Sequence, residues 1–363
     1  MAARFLFPGE EEPRAPGYRL LIAGDVHHGD NYKNSGARIA AEKGYDYSFE
    51  KLRPLIGRAD FALVNMETPA TNRTVSPIVK HFLHRTDPDG GPPALARVGI
   101  DAVGLANNHS MDYGRPGLAD TLRVLAANNI QVIGAGADLA AAERPLLLQI
   151  PATDAPVRHV AVFSLFEHRP EFEGANSYYA AAGRPGVAAI DPHRFGQLVK
   201  GWRDRYPDLF VVASAHWGRN YAWRTPQQAT LGRGLIDAGA DLVIGHHGHN
   251  FQEVERYGGK WILYGIGNFV FNSRGRFNQF GTLPPYGLGV ELDFALAGSG
   301  RPLARLYPVL VDNLRTGYQP QIPAPPEAQA ALTKLLERSE ISLGRRGLAL
   351  EQDNLGVHLR LSL

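Results

Sequence analysis

The sequence predicts an α/β fold, two sheets flanked by helices, with one site at the carboxyl ends of its strands. Three observations carry that prediction. Short runs that are apolar throughout suit strands buried on both faces. Segments with apolar residues at helical spacing lie between those runs. Five of the runs pass directly into Asp, Glu, Asn or His, at the strand ends where open α/β sheets gather their ligands.

In order along the chain, Tyr18 to Ala23 leads into Gly24-Asp25-Val26-His27-His28-Gly29-Asp30. Tyr47 to Ile56 then places Phe49, Leu52, Leu55 and Ile56 on one helical face. Phe61 to Val64 runs into Asn65-Met66-Glu67, and Ala102 to Ala106 into Asn107-Asn108-His109-Ser110-Met111-Asp112. Pro116 to Asn128 has proline near its start and Leu118, Leu122 and Leu125 at helical spacing. Asp191 to Arg205 is a further helix, followed by the strand Leu209 to Ala213 and its end Ser214-Ala215-His216-Trp217-Gly218. Pro226 to Ala238, closed by Gly239, precedes Leu242 to Ile244 and then Gly245-His246-His247-Gly248-His249. Lys260 to Tyr264 and Tyr286 to Phe294 read as strands with no helix between them, which predicts a second, more antiparallel sheet region. A proline-rich connector, 320 to 326, a helix from Glu327 to Ser339 and a strand from Val357 to Leu361 complete the chain.

Composition narrows the chemistry. The 363 residues are 44% hydrophobic and 20% charged, ordinary for a globular enzyme. A formal net charge of +2 supplies no electrostatic argument for nucleic acid or a membrane surface. There is no cysteine, so disulfides and thiolate sites are excluded and any metal must take nitrogen and oxygen ligands. Phe5-Leu6-Phe7 ahead of Glu10-Glu11-Glu12 is no signal-peptide core, and no stretch of 18 apolar residues occurs. The expectation is a cytoplasmic protein with no membrane insertion, its acidic run a solvated tail.

Three imidazoles at the end of a buried strand are costly unless something uses them, and neutral imidazole is the commonest protein ligand for a transition metal. Gly248 is expected to allow the tight bend that aims two of the rings at one point. Taken alone, the stretch also fits a surface cluster, Asp25 a turn cap, and Asn107-Asn108 a left-handed turn pair. Together the five strand ends supply Asp25, His27, Glu67, Asn108, His216, His247 and His249. That set suits two divalent ions about 3.5–4 Å apart, able to clamp a phosphoryl group and activate water. His109 is placed to protonate a leaving group.

Gly24-Asp25-x-His27, Asn108-His109, His216 and His247-x-His249 resemble, in order, the motifs of the calcineurin-like metallophosphoesterase superfamily. The wording is closest to its CapA branch, the poly-γ-glutamate or capsule biosynthesis proteins. The carrying segments are Asn65-Met66-Glu67, Leu105 to Gly114, His216 to Gly218, Ile236 to His249 and Leu263 to Phe271. The resemblance implies a metallophosphoesterase-like four-layer α/β/β/α sandwich over residues 17–319, with 320–363 as a C-terminal extension packed on the same domain. It implies that Asp25, His27, Glu67 and His249 hold one metal. Glu67, Asn108, His216 and His247 hold the second, with Glu67 bridging. His109 faces the leaving group, and Asp112 orients His109. The chain departs from the superfamily by using Glu67 where an Asp is usual, and by Asn220 near a position often acidic.

Several neighbours are assigned other roles. His28 and His246 are expected to be structural or to support the ligands, Asn65 to form an Asx turn under Glu67, and Asn268 to steady a loop. His81 and His84, beside Arg85, are open between substrate contact and packing, as are Trp217, Tyr221 and Trp223. The implied function is a CapA-like metal-dependent hydrolase of a phosphoester, using two divalent ions, for which Mn, Fe or Zn suits the donors better than Mg. It is linked to poly-γ-glutamate or capsule biosynthesis, with a phosphorylated or anionic substrate, polymer included. The alternative is a non-catalytic accessory component that binds an anionic polymer. Metal-assisted cleavage of a γ-glutamyl bond is the weaker third.

Overall fold

The computed structural model describes residues 17–29, 36–151, 158–174, 177–275, 277, 279, 283–294, 302–343 and 347–363. Glu10–Glu12 and Asp30 lie outside the described residues. The first strands are β1 (Arg19–His27), β2 (Phe61–Met66), β3 (Ala102–Gly104), β4 (Gln131–Ile133), β5 (Ala135–Gly136) and β6 (Leu146–Ile150). Then come β7 (Arg158–Phe166), β8 (Gly186–Val187), β9 (Phe210–His216), β10 (Leu242–His246), β11 (Val254–Tyr257) and β12 (Lys260–Leu263). The last are β13 (Asn268–Phe271), β14 (Tyr286–Asp293), β15 (Leu303–Leu310), β16 (Leu348–Gln352) and β17 (Val357–Ser362). One sheet has the order β16-β17-β15-β14-β1-β2-β3-β4, with β13 beside β1, and a second has the order β11-β12-β10-β9-β7-β6.

Alternation along each strand decides the layering, because successive side chains leave opposite faces. Leu20 and Ile22 of β1 share one core with Val160 and Val162 of β7, Val212 of β9, and Leu242 and Ile244 of β10. That core lies between the two sheets. Leu21 and Ala23 point the other way, into a core built with Phe49, Leu52, Leu95, Leu118 and Leu125 from the helices outside the first sheet. Ala161, Phe163, Ala213 and Val243 face a third core with Phe195, Val199, Leu235 and Ile236 outside the second sheet. The result is the expected four-layer α/β/β/α sandwich.

The sheets are tied together where the chain passes from β12 to β13. The Ile266 amide donates to Gly245 of the second sheet at 2.8 Å, while the Ile266 carbonyl accepts from Leu288 of the first at 2.7 Å. One residue later the Gly267 carbonyl accepts from the Asp25 amide at 3.0 Å. This crossing is so close that a Cβ on Gly24 would overlap the Gly267 carbonyl, and one on Gly245 would overlap the Tyr264 carbonyl. Gly24 and Gly245, which precede Asp25 and His246 at the strand ends, are therefore required for backbone approach.

Two expectations change in form. The helix foreseen over Tyr47 to Ile56 is a 3₁₀ turn, Tyr45–Leu52, followed by a short α-helix, Arg53–Arg58. Pro54 lacks the amide that a continuous helix would need and crowds the preceding turn, so the helix restarts with proline in its first turn. Phe49, Leu52, Leu55 and Ile56 are nevertheless all buried. Second, Lys260 to Tyr264 and Tyr286 to Phe294 do not make a sheet of their own. β12 pairs parallel to β10 because β11 reverses the chain once, whereas β14 pairs antiparallel to β1 and extends the first sheet. β15 and β17 continue that antiparallel edge, and the helix Pro325–Arg338 packs over it.

Candidate metal centre

The parallel strands β1, β2 and β3 of one sheet and β9 and β10 of the other end side by side. Register then sets neighbours: Asp25 stands opposite Asn65 across β1 and β2, and His216 opposite His246 across β9 and β10. Polar side chains from both sheets meet in a space where each of the nine predicted site residues is at most 8% exposed.

Two triads emerge, each with ligating atoms mutually within 4.8 Å: Asp25, Glu67 and His249, and Glu67, His216 and His247. Glu67 belongs to both. Its Oε1 lies 3.6 Å from His216 Nε2 and 3.9 Å from His247 Nδ1. Asn108 Oδ1 lies 2.7 Å from His216 Nε2 and so joins the second triad. His27 is not gathered into either triad. Its Nδ1 accepts from the Gly29 amide at 3.1 Å, and its ring stacks on Phe271 with centroids 4.4 Å apart.

The donors fit divalent ions. Glu67 Oε2 and His247 Nδ1 are buried without a hydrogen-bond partner among the described residues, a costly state that an ion would relieve. Burial holds His216 and His247 well below the usual imidazole pKa, as it does His27 and His109, so the rings are neutral and able to ligate. Burial, then the charge of Asp25, pushes the Glu67 carboxyl up, which bound cations would reverse.

A supporting layer orients these groups. Asn65 donates to Asp25 Oδ1 at 2.7 Å, its Nδ2 lies 3.3 Å from His216 Nδ1, and its Oδ1 accepts from Asn107. Asn65 therefore reaches across the sheet rather than turning back under Glu67. Asn107 does form the local turn, accepting from the amides of His109 and Ser110 at 3.0 Å each. Asn268 Oδ1 sits 2.9 Å from His249 Nδ1, which turns Nε2 toward the site. His246 lies behind Asp25, 3.4 Å from Oδ1, with Ser214 on its far side at 3.0 Å. His28 packs edge-on against Tyr45 and Phe49.

The bend after β10 is made differently from the expectation. His247 and His249 take the left-handed backbone region, at φ 89° and 62°, and Gly248 does not. A Cβ on Gly248 would instead crowd the Gln252 amide at 3.0 Å. Non-glycine residues held there are strained, and such strain collects at functional sites. The Asp25 carboxylate helps to hold it by accepting from the His247 amide at 3.1 Å.

His109 Nδ1 lies 2.7 Å from Asp112 Oδ2, and its Nε2 faces the shared carboxylate, 3.9 Å from Glu67 Oε1. Two residues enter that sequence reasoning did not place in the site. His84 packs between His27 and His109, ring centroids 4.4 and 4.3 Å away, and its amide donates to Asp112 Oδ2 at 2.7 Å. Lys80 Nζ reaches Asp112 Oδ1 at 2.8 Å. Proximity to the Asn-Asn-His motif hinted at His84, but Lys80 stands in no motif. His81 is exposed and packs on Phe82. Trp217 is buried in the outer core, Trp223 borders the packed interior, and Tyr221 lies against His249 at 5.1 Å.

With this geometry in view, a family model described as bacterial capsule synthesis protein PGA_cap matches residues 19–273. The chain belongs to that family. It is 31% identical over 237 residues to the PGA biosynthesis protein CapA of Bacillus subtilis, covering 65% of this chain and 59% of that one. It is 37% identical over 223 residues to a probable polyglutamine synthesis accessory protein of Mycobacterium tuberculosis, covering 60% of this chain and 57% of that one. The matches span fewer than three fifths of those family members' lengths. A solved structure described as a novel phosphatase from Mycoplasma pneumoniae aligns with 84% of this chain and 98% of its own, at 13% identity and TM-score 0.42. Among the described residues, no helix is long and apolar enough to cross a membrane.

Proposed function

We propose that this chain is a metal-dependent phosphoester hydrolase serving poly-γ-glutamate or capsule biosynthesis. The observation that carries the reading is Glu67, a buried carboxylate shared by two triads of ligating atoms. Asp25, Glu67 and His249, joined by His27, would hold one ion. Glu67, Asn108, His216 and His247 would hold the other. Two divalent ions bound there would polarise a phosphoryl group and lower the pKa of the attacking water.

The chain's own residues supply the rest. Three acidic side chains, Asp25, Glu67 and Asp112, are buried in this space, and Asp112 is paired with the Lys80 ammonium. Filled with divalent cations, the same space attracts a phosphoester. His109, held at Nδ1 by Asp112, presents Nε2 beside Glu67. Protonated at Nε2 when an anionic phosphoester is bound, the ring would pass that proton to the departing oxygen. The enclosure of every site residue limits bulk water and strengthens each electrostatic contact.

The accessory label carried by the Mycobacterium relative favours a second reading, binding of an anionic polymer without turnover. Elemental analysis coupled to hydrolysis of an aryl phosphate and an aryl phosphodiester with added Mn²⁺ separates the two. Bound metal with turnover that vanishes in Glu67→Ala and His109→Ala supports the hydrolase. Bound metal without turnover on either ester favours the accessory role, and no metal under any loading overturns both metal-based statements.

A further inference from the structure

Lys80 sits on the segment between β2 and the helix Gly91–Val98, outside every motif that marks the site. Its ammonium reaches three residues of one turn: the Asn108 carbonyl at 2.5 Å, His109 Nδ1 at 3.1 Å and Asp112 Oδ1 at 2.8 Å. The rings of Phe172 and Tyr178 lie over the same ammonium, with centroids 5.8 and 5.9 Å away. The Lys80 side chain is 17% exposed and Asp112 is fully buried, so each charge depends on the other for compensation.

We infer that Lys80 is a positioning residue that staples the 108–112 turn, fixing Asp112 so that the His109 ring presents Nε2 to the leaving group. The inference rests on the hydrolase reading for its effect on rate, but not for its effect on the ring. A lysine supplies up to three donors and no acceptor; the Asn108 carbonyl and Asp112 Oδ1 accept from it, and His109 Nδ1 lies beside it without accepting. The 2.7 Å contact between His109 Nδ1 and Asp112 Oδ2 requires the ring proton on Nδ1, because a carboxylate only accepts. Lys80 and the His84 amide occupy the two Asp112 oxygens from other directions, which leaves the carboxylate one orientation toward His109. Without the ammonium, Asp112 is a buried, poorly compensated anion, free to rotate or take up a proton.

The experiment uses the full chain loaded with Mn²⁺ and the variants Lys80→Met and Lys80→Arg, with metal content and circular dichroism as controls. Phenyl phosphate needs a proton on its leaving oxygen, whereas 4-nitrophenyl phosphate barely does. The expected result is a kcat loss of about 10²-fold for the phenyl ester in Lys80→Met, under about 5-fold for the nitrophenyl ester, and recovery of most of it in Lys80→Arg. Equal losses on both esters, or equal losses in both variants, overturn the inference. If the wild type hydrolyses neither ester, the hydrolase reading fails and the imidazole ¹⁵N spectrum of the metal-free protein decides. A His109 Nδ1–H tautomer that is averaged in Lys80→Met and kept in Lys80→Arg supports the staple. An unchanged His109 spectrum in Lys80→Met overturns it.

Discussion

Asn65 donates a 2.7 Å hydrogen bond to Asp25 Oδ1 while its amide nitrogen also lies 3.3 Å from His216 Nδ1. One neutral side chain thus links a carboxylate of the first sheet to an imidazole of the second. Partners of this kind typically change metal affinity 10–100-fold.

Asn65→Ala is therefore expected to weaken metal binding by about 10–100-fold while the fold survives. Calorimetric titration of Mn²⁺ into metal-free protein checks it, and affinity within a factor of two of wild type would contradict the linkage.

Asp112→Asn keeps the volume of a side chain whose carboxylate lies 2.7 Å from His109 Nδ1 and 2.8 Å from Lys80. It is expected to lower kcat about 10²-fold with bound metal unchanged. Paired measurements of turnover and metal content would show whether orientation of His109, rather than ligation, has been lost.

The strand crossing yields a prediction about stability. A methyl at Gly24 overlaps the Gly267 carbonyl, whereas one at Gly201, inside the helix Pro192–Arg205, meets nothing within 4 Å. Gly24→Ala should cost about 3 kcal/mol or more or prevent folding. Gly201→Ala should stabilise by about 0.5–1 kcal/mol. Urea unfolding of the two variants beside wild type tests both signs.

Burial pulls His28 from 6.5 to about 4. Between those values the unfolded chain binds a proton that the folded chain refuses, so this contribution to stability falls as pH drops from 6.5 through 4. Above that window it has no pH dependence. His28→Phe, which keeps an aromatic ring against Tyr45 and Phe49, should flatten the slope by up to about 1.4 kcal/mol per pH unit. Denaturant midpoints in the presence of a chelator at pH 7.5, 5.5 and 4.5 measure it.

Legibility followed the range of the interactions. The strands ending at His27, Met66, His216 and His246 were visible because burial on both faces demands unbroken apolar runs. The helix over Tyr47 to Ile56 was visible in its buried face but not in its break at Pro54, where a local backbone requirement overrode periodicity. In the site, Asp25, Glu67, Asn108, His216, His247 and His249 announced themselves by residue type at a strand end. Lys80 did not, since nothing in Ile78-Val79-Lys80 distinguishes it from any surface lysine.

By itself the sequence determined which residue types stand at which strand ends, and hence the sandwich, the family and a donor set of nitrogen and oxygen. Those features are local: an apolar run, a following polar residue and an absence of cysteine can be read one segment at a time. Only the tertiary structure decided that Glu67 is shared by two triads, that His27 turns to the Gly29 amide, and that Lys80 reaches the turn carrying His109. It also decided that the left-handed bend falls on His247 and His249 rather than on Gly248. The sharing of Glu67 depends on the ends of two sheets meeting, and the reach of Lys80 on packing between segments far apart in the chain. The His27 contact and the left-handed bend are backbone geometry that residue type does not announce.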